Sequence, residues 1–168
     1  MSLITLRAME PSDVGAMLRW ENDRSLWHLG STSEPFSREA ITQFIQQSGE
    51  DIFSKKQLRL IIDLQGVAIG AIDLFEFDPI NRHAGVGILV YQEALRGKGY
   101  AKQALEELII YAAGRLGMHS LWAHVAVDNH ASMALFEGCH FTSSGTLRSW
   151  IRLDSGVYQD VIVYQLCF

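Results

Sequence analysis

The sequence predicts a mixed α/β fold in a single domain, and three observations carry that prediction. Period-2 apolar strands and 3.6-period helices follow one another in the order β-α-α-β-β-β-α-β-α-β-β. No linker long enough to separate domains interrupts them. A chain of 168 residues with 48% hydrophobic and 20% charged residues buries one real core. Residues 1–168 are therefore expected to form one domain.

The first strand is expected at residues 3–7, where Ile4 and Leu6 alternate with Leu3, Thr5 and Arg7. Pro11, Ser12 and Asp13 signal a helix start, because proline suits helix entry and serine or aspartate caps exposed amides. That helix is expected to run to about Arg24, with Val14, Met17 and Leu18 on one face. A second is expected at residues 37–47, with Ile41, Phe44 and Ile45 at helical spacing and Gly49 ending it. Residues 58–63 and 67–77 read as strands joined by a hairpin turn at Leu64, Gln65 and Gly66. A second turn at Asp78, Pro79, Ile80 and Asn81 leads to a strand at 84–90. The strands at 67–77 and 84–90 are apolar on nearly every residue, which places them in the middle of the sheet.

The clearest helix follows. Ala101, Ala104, Leu105, Leu108, Ile109, Ala112, Ala113 and Leu116 recur at helical spacing, and Gly117 supplies the stop. A strand at 120–127, a short helix from Asn129 to about Glu137, and strands at 141–143 and 161–166 complete the chain.

Composition narrows the function. Two cysteines, Cys139 and Cys167, form neither a C-x-x-C spacing nor a framework of pairs, which suits a reduced, cytoplasmic compartment. Residues 1–10 lack a cationic stretch followed by an apolar block, and no apolar run approaches the roughly 20 residues a membrane span requires. The six histidines show no metal-ligand spacing, so no metal is expected. The net charge is −5, and residues 1–51 hold four arginines against eight acids. No basic stripe suited to nucleic acid is apparent. The acidic first third favours a cationic partner, and a solvated acidic face is the bland alternative.

The informative segment is Arg96-Gly97-Lys98-Gly99-Tyr100-Ala101, which lies between a strand and the strongest helix. Its glycines let backbone N–H groups approach an anion, and the helix N-terminus adds unpaired amides and a positive dipole end. A tight strand-to-helix turn is the competing reading. Neither the P-loop pattern nor the dinucleotide glycine pattern fits.

These six residues match Gln/Arg-x-x-Gly-x-Gly/Ala, the pyrophosphate-binding motif of the GCN5-related N-acetyltransferases. About thirty residues later, the stretch Asn129 to Phe141 resembles that superfamily's second signature, Asn-x-x-Ala/Ser-x-x-Leu-aromatic ending in Gly-Phe. Trp20-Glu21-Asn22-Asp23, Gly145-Thr146-Leu147-Arg148 and Tyr158-Gln159-Asp160 resemble the branch that holds spermidine and ribosomal-protein N-terminal acetyltransferases. The resemblance spans essentially the whole chain. It implies a mixed, mostly antiparallel sheet, splayed between its two central strands and flanked by helices.

It also implies an acetyl-CoA-dependent transfer to a primary amine, either polyamine-like or a protein N-terminus. The alternative is a non-catalytic acyl-CoA-binding or sensor domain. By resemblance, backbone groups of Ile88, Leu89 and Val90 pair with the pantetheine arm. Arg96, Gly97, Lys98, Gly99, Tyr100 and Ala101 hold the pyrophosphate. Asn129 bonds the arm, holds the splayed strand, or acts as a plain helix cap. A homodimer is compatible with the resemblance.

Two departures bear on catalysis. Phe136 stands where many relatives carry a proton-donating tyrosine, so Ser132, one turn earlier, or solvent is the candidate donor to the thiolate. Gly85 stands where a carboxylate is usual, and with Gly87 it should leave a bare patch near the acyl site. His124, with Glu21, Asp23 and Asp73 as others, is then the candidate base. Trp20, Glu21, Asp23, Trp27 and His28 form a cluster of aromatic faces and carboxylates suited to an aliphatic ammonium. Plain core packing and exposed helix charge are the alternatives there. A third departure is His140, where glycine is usual. It is tolerable at negative φ, and histidine also enters the left-handed region.

Overall fold

In the computed structural model, which describes residues 3–29 and 32–168, seven strands form one sheet in the order β1-β2-β3-β4-β5-β7-β6. β1 (Ile4–Arg7), β2 (Leu58–Leu64), β3 (Val67–Asp78) and β4 (His83–Val90) are antiparallel neighbours. β5 (Ser120–Ala126) runs parallel to β4, then β7 (Tyr158–Cys167) and β6 (Thr142–Arg152) follow antiparallel. The helix between β4 and β5 crosses over from one to the other, as parallel pairing demands. The two apolar strands do lie at the centre. Gln65 and Gly66, with φ of 53° and 89°, form the two-residue hairpin between β2 and β3, in the mirror-image turn that strand twist favours.

Alternation along the strands divides the core in two. On one face, α1 (Val14–Glu21) and α2 (Arg38–Gln46) bury Met17, Trp20, Ile41 and Ile45 against Ile61 and Ala71. On the other, α4 (Tyr100–Gly114) and α5 (His130–Gly138) cover Ile72, Leu74, Val86 and Leu121. The periodicity read from α4 holds: Ala104, Leu105, Leu108 and Ala112 are fully buried.

Three expectations need correction. The first helix stops at Glu21, and Arg24–Leu29 is a separate 3-10 segment. Asn22 and Asp23 break it, because their side chains take backbone partners of their own. The Asn22 amide bonds both the N–H and the C=O of Phe36, and the Asp23 carboxylate accepts the Ser25 N–H. A short helix, α3 (Ile52–Lys55), was not expected, although Asp51 caps it by accepting from the Phe53 and Ser54 amides. The last hairpin is longer than expected, since β6 covers 11 residues rather than 141–143. β6 is an edge strand exposed almost throughout, so it has no buried face to impose the alternation by which strands are recognised.

Arg7 ties β1 to the first helix and to β2, donating to both Asp13 oxygens at 2.8 and 2.9 Å and to Asp63 at 2.8 Å. Its guanidinium holds the Asp13 carboxyl below the usual range. Among the described residues, no helix is long and apolar enough to cross a membrane.

Candidate active site

The site begins where two strands part. Pairing between β4 and β5 covers only His83↔Ser120, Ala84↔Leu121 and Gly85↔Trp122. Beyond that point Val86–Val90 and Ala123–Ala126 have no register with each other, so a slot opens between them. β4 and β5 are parallel and each feeds a helix, so the N-termini of α4 and α5 lie at the same open end. Two helix N-termini at the mouth of one slot make a place for an anionic ligand.

The loop before α4 is built for that ligand. Gly97 and Gly99 have φ of 72° and 85°, a conformation that side-chain-bearing residues adopt at a cost. The first helical bond is Gln103 N–H to the Gly99 carbonyl, at 3.0 Å. The backbone N–H groups of residues 97–102 find no acceptor among the described residues. A Cβ at Gly97 or Gly99 would meet nothing within 4 Å, so the cradle is open. Arg96 behaves differently from the other loop residues. Its guanidinium turns back onto the end of β4 and bonds the carbonyls of Val90 and Tyr91 at 2.9 and 3.0 Å. Lys98 is exposed on the loop.

At the start of α5, Asn129 is an N-cap whose Oδ1 accepts the Ser132 N–H at 3.1 Å. The Ser132 hydroxyl has no hydrogen-bond partner among the described residues. The far end of α5 explains two of the oddities. His140 N–H bonds the Glu137 carbonyl, Phe141 N–H bonds the Phe136 carbonyl, and His140 has φ of 67°. That is a Schellman ending, with histidine at the position glycine usually holds. Its apolar contact is Phe136 on Phe141, at 5.1 Å between ring centroids. Phe136 is thus a packing residue, also stacked on Tyr164. The Tyr164 hydroxyl donates to Glu137 at 2.7 Å, and burial together with that carboxylate pushes its pKa up to about 12. It keeps its proton and does not stand in for the missing tyrosine.

The expected bare patch at Gly85 is filled. A Cβ there would lie 2.5 Å from the Phe75 ring and 2.9 Å from Trp122. The two rings meet edge to face, 5.2 Å apart, over the glycine. Gly85→Ala is expected to lower stability by about 1–3 kcal/mol through overpacking, read as a fall in thermal midpoint. A melt equal to wild type would mean that the rings move aside freely.

Next along the same face, His124 lies 4.7 Å from Trp122 and 6.3 Å from Trp150, measured between ring centroids. His124 is exposed at its outer edge, and the partial desolvation by these rings lowers the imidazole pKa from its ordinary value, while Glu76 pulls it the other way. Glu76 was not among the residues singled out in the sequence. It sits in a bulge of β3 with φ of 49°, where the register to β4 shifts between Phe75 and Asp78. Nothing in the sequence marks that bulge, so neither the position of Glu76 nor the approach of Trp150 was legible.

Most members of the expected ammonium cluster already have partners within the chain. Trp20 is 6% exposed, in the smaller core beside Tyr91, and offers no surface to a substrate. Glu21 pairs with Arg59, whose guanidinium also grips Asp73 at 2.6 and 3.0 Å. Burial opposes the charge of Arg59, but Asp73 and Glu21 outweigh it and raise its pKa. Asp23 accepts the Ser25 hydroxyl at 2.6 Å, which holds its carboxyl below the usual range. The Trp27 ring carries Arg24 at 5.7 Å and donates its N–H to the Glu21 carbonyl, while His28 is exposed. Arg59 opposite Asp73, charged residues in two apolar strands, is the signal that could have found this network.

The family model described as an acetyltransferase (GNAT) domain matches residues 4–142. The chain belongs to the GNAT acetyltransferase family. It is 30% identical to the spermidine N(1)-acetyltransferase of Vibrio cholerae, over 95% of this chain and 90% of that one. It is also 30% identical to the "Putative ribosomal N-acetyltransferase YdaF" of Bacillus subtilis, over 97% and 90%. The crystal structure of the Vibrio cholerae spermidine N-acetyltransferase in complex with CoA and spermine superposes with a TM-score of 0.86. It is 28% identical, and the match covers 99% of this chain and 96% of that one. This acetyltransferase accordingly has the fold and the transferase activity expected from its motifs, rather than those of a non-catalytic acyl-CoA sensor.

Proposed function

We propose that this acetyltransferase moves the acetyl group of acetyl-CoA to a primary amine of a cationic, polyamine-like molecule. Transfer is direct, with both substrates bound. The observation that carries the reading is the slot between β4 and β5, with amides at its mouth that find no acceptor among the described residues, and His124 on the face of β5 away from α4 and α5. The likeness to spermidine acetyltransferases supports the choice of amine. The likeness to the ribosomal enzyme favours a protein N-terminus as the second reading.

The chemistry makes three demands: a free amine, a stabilised oxyanion and a protonated thiolate. Backbone groups of Ile88, Leu89 and Val90, on the unpaired edge of β4, hold the pantetheine arm and supply an oxyanion donor. The amides from Gly97 to Ala101 hold the pyrophosphate, with Lys98 adding charge. Asn129 fixes the first turn of α5, which aims the Ser132 hydroxyl to hydrogen-bond the sulfur, while solvent returns the proton to the departing thiolate. His124 takes the amine's proton. Glu21 and Asp73 are already committed to Arg59, which leaves the imidazole as the better base.

Free-thiol release with spermidine, an aminoglycoside and Ala- or Ser-initiated peptides tests the reading, with spermidine expected to be the best acceptor. Acetylation of hydroxyl or thiol acceptors alone would overturn it. His124→Gln is expected to lower kcat by roughly 100-fold. Activity needs the neutral imidazole, so the wild-type rate should fall as pH drops through a pKa below the ordinary histidine value. That acid limb should be absent in His124→Gln; if it persists unchanged, another group is the base.

A further inference from the structure

Trp150 is a large aromatic side chain, 58% exposed, on a polar edge strand. Simple register does not account for its place. β6 and β5 are separated by β7, yet the Trp150 ring reaches His124 on β5. The backbone explains how. Leu147 pairs with Val161 and Ile151 with Gln159, so four residues of β6 advance against two of β7. Within this bulge Ser149 has φ of 50°, and its N–H donates to the Asp160 carboxylate at 2.7 Å. A non-glycine residue in this conformation is strained, and the Asp160 bond holds it there. Bulges re-aim side chains, and this one turns an indole toward the acceptor side of the slot.

The result is an aromatic row across three strands. Phe75 meets Trp122, Trp122 meets His124, and His124 meets Trp150 edge to face. Glu76 lies close enough for its charge to act on His124. Exposed ring faces beside a carboxylate suit a hydrocarbon stem that carries an ammonium group.

We infer that Trp150 is a specificity-determining residue that holds the second ammonium and the methylene stem of a diamine or polyamine whose reacting amine lies at His124. The inference rests on the acceptor class proposed above and names the residue that reads the distal end. The bulge at Ser149 and Asp160 is the positioning device.

Steady-state kinetics of wild type, Trp150→Ala, Trp150→Phe and Asp160→Asn with spermidine and with butylamine test it. Trp150→Ala is expected to raise KM for spermidine roughly 5- to 30-fold, the worth of one cation–π contact. KM for butylamine, which has the stem but no distal cation, should rise far less, and KM for acetyl-CoA should stay the same. Trp150→Phe should recover most of the loss. Asp160→Asn, which keeps the indole but weakens the hold on Ser149, should raise the spermidine KM in the same direction. An unchanged spermidine KM in Trp150→Ala, or equal rises for both amines, would overturn the inference while leaving the acceptor class standing. A wild type inert toward both amines would overturn the acceptor class and this inference with it.

Discussion

Gly99→Asp is expected to weaken acetyl-CoA binding by roughly 30- to 150-fold, about 2–3 kcal/mol. The new carboxylate would stand at the N-cap of α4, beside six amides that have no acceptor among the described residues, where the diphosphate is proposed to sit. Like charges a few ångströms apart repel, and a bound acid competes for the same N–H groups. Stability should change little. A φ of 85° costs an aspartate about 1 kcal/mol, but an acid at a helix N-terminus returns a similar amount. Gly99→Asn keeps the shape without the charge and is expected to lose less than about tenfold. Calorimetry at two salt concentrations reads the result, and the aspartate penalty should shrink as salt rises. Equal affinities for the aspartate and asparagine variants would mean that no anion binds at this loop.

The largest effect on stability is expected from Arg59→Met. Arg59, Asp73 and Glu21 have side chains only 19%, 18% and 22% exposed, so removing the guanidinium leaves two carboxylates together in a mostly dry place. Breaking such a pair by deleting one partner costs about 3–5 kcal/mol when fully buried, and partial exposure lowers that to roughly 2–4. A protein of this size would lose on the order of 10 °C in Tm. The sign of the pH dependence follows. Without Arg59, two like charges face each other in a mostly dry place, which favours uptake of a proton by the folded pair. The folded variant then binds more protons than the unfolded one, so its deficit should narrow between pH 7.5 and pH 5. Asp73→Asn in the same background should restore part of the loss by removing one of the opposed charges. If the deficit is constant across that pH range, lost packing rather than unpaired charge is the cause.

Both variants turn on a contrast in what the chain encodes locally. The glycine loop is legible because its chemistry lives in consecutive residues. Gly97 and Gly99 need no distant partner to adopt positive φ, and the helix that follows supplies the free amides by its own geometry. The same holds for α4, whose apolar stripe is a period in the sequence, and for β3 and β4, whose continuous apolar runs require burial on both faces. The splay was legible only through resemblance, since nothing in either strand says where pairing stops.

What the tertiary structure alone decided is which side chains meet. Glu21 and Asp73 read as candidate bases or ammonium ligands until Arg59 is found between them, 38 and 14 residues away in sequence. Trp20 read as a substrate contact and is core, because it lies on the face of α1 that packs on the sheet, with its indole beside Tyr91. Gly85 read as open space and is roofed by Phe75 and Trp122 from neighbouring strands. His140 read as tolerable at either sign of φ and is the left-handed end of a helix. In the other direction, Glu76 and Trp150 carried no local signal, since each is aimed by a bulge whose register is set by the partner strand. Sequence by itself determines periodicity, caps and loop chemistry, which act over a few residues. Charge pairing, ring packing and strand register join residues far apart in the chain, and folding decides them.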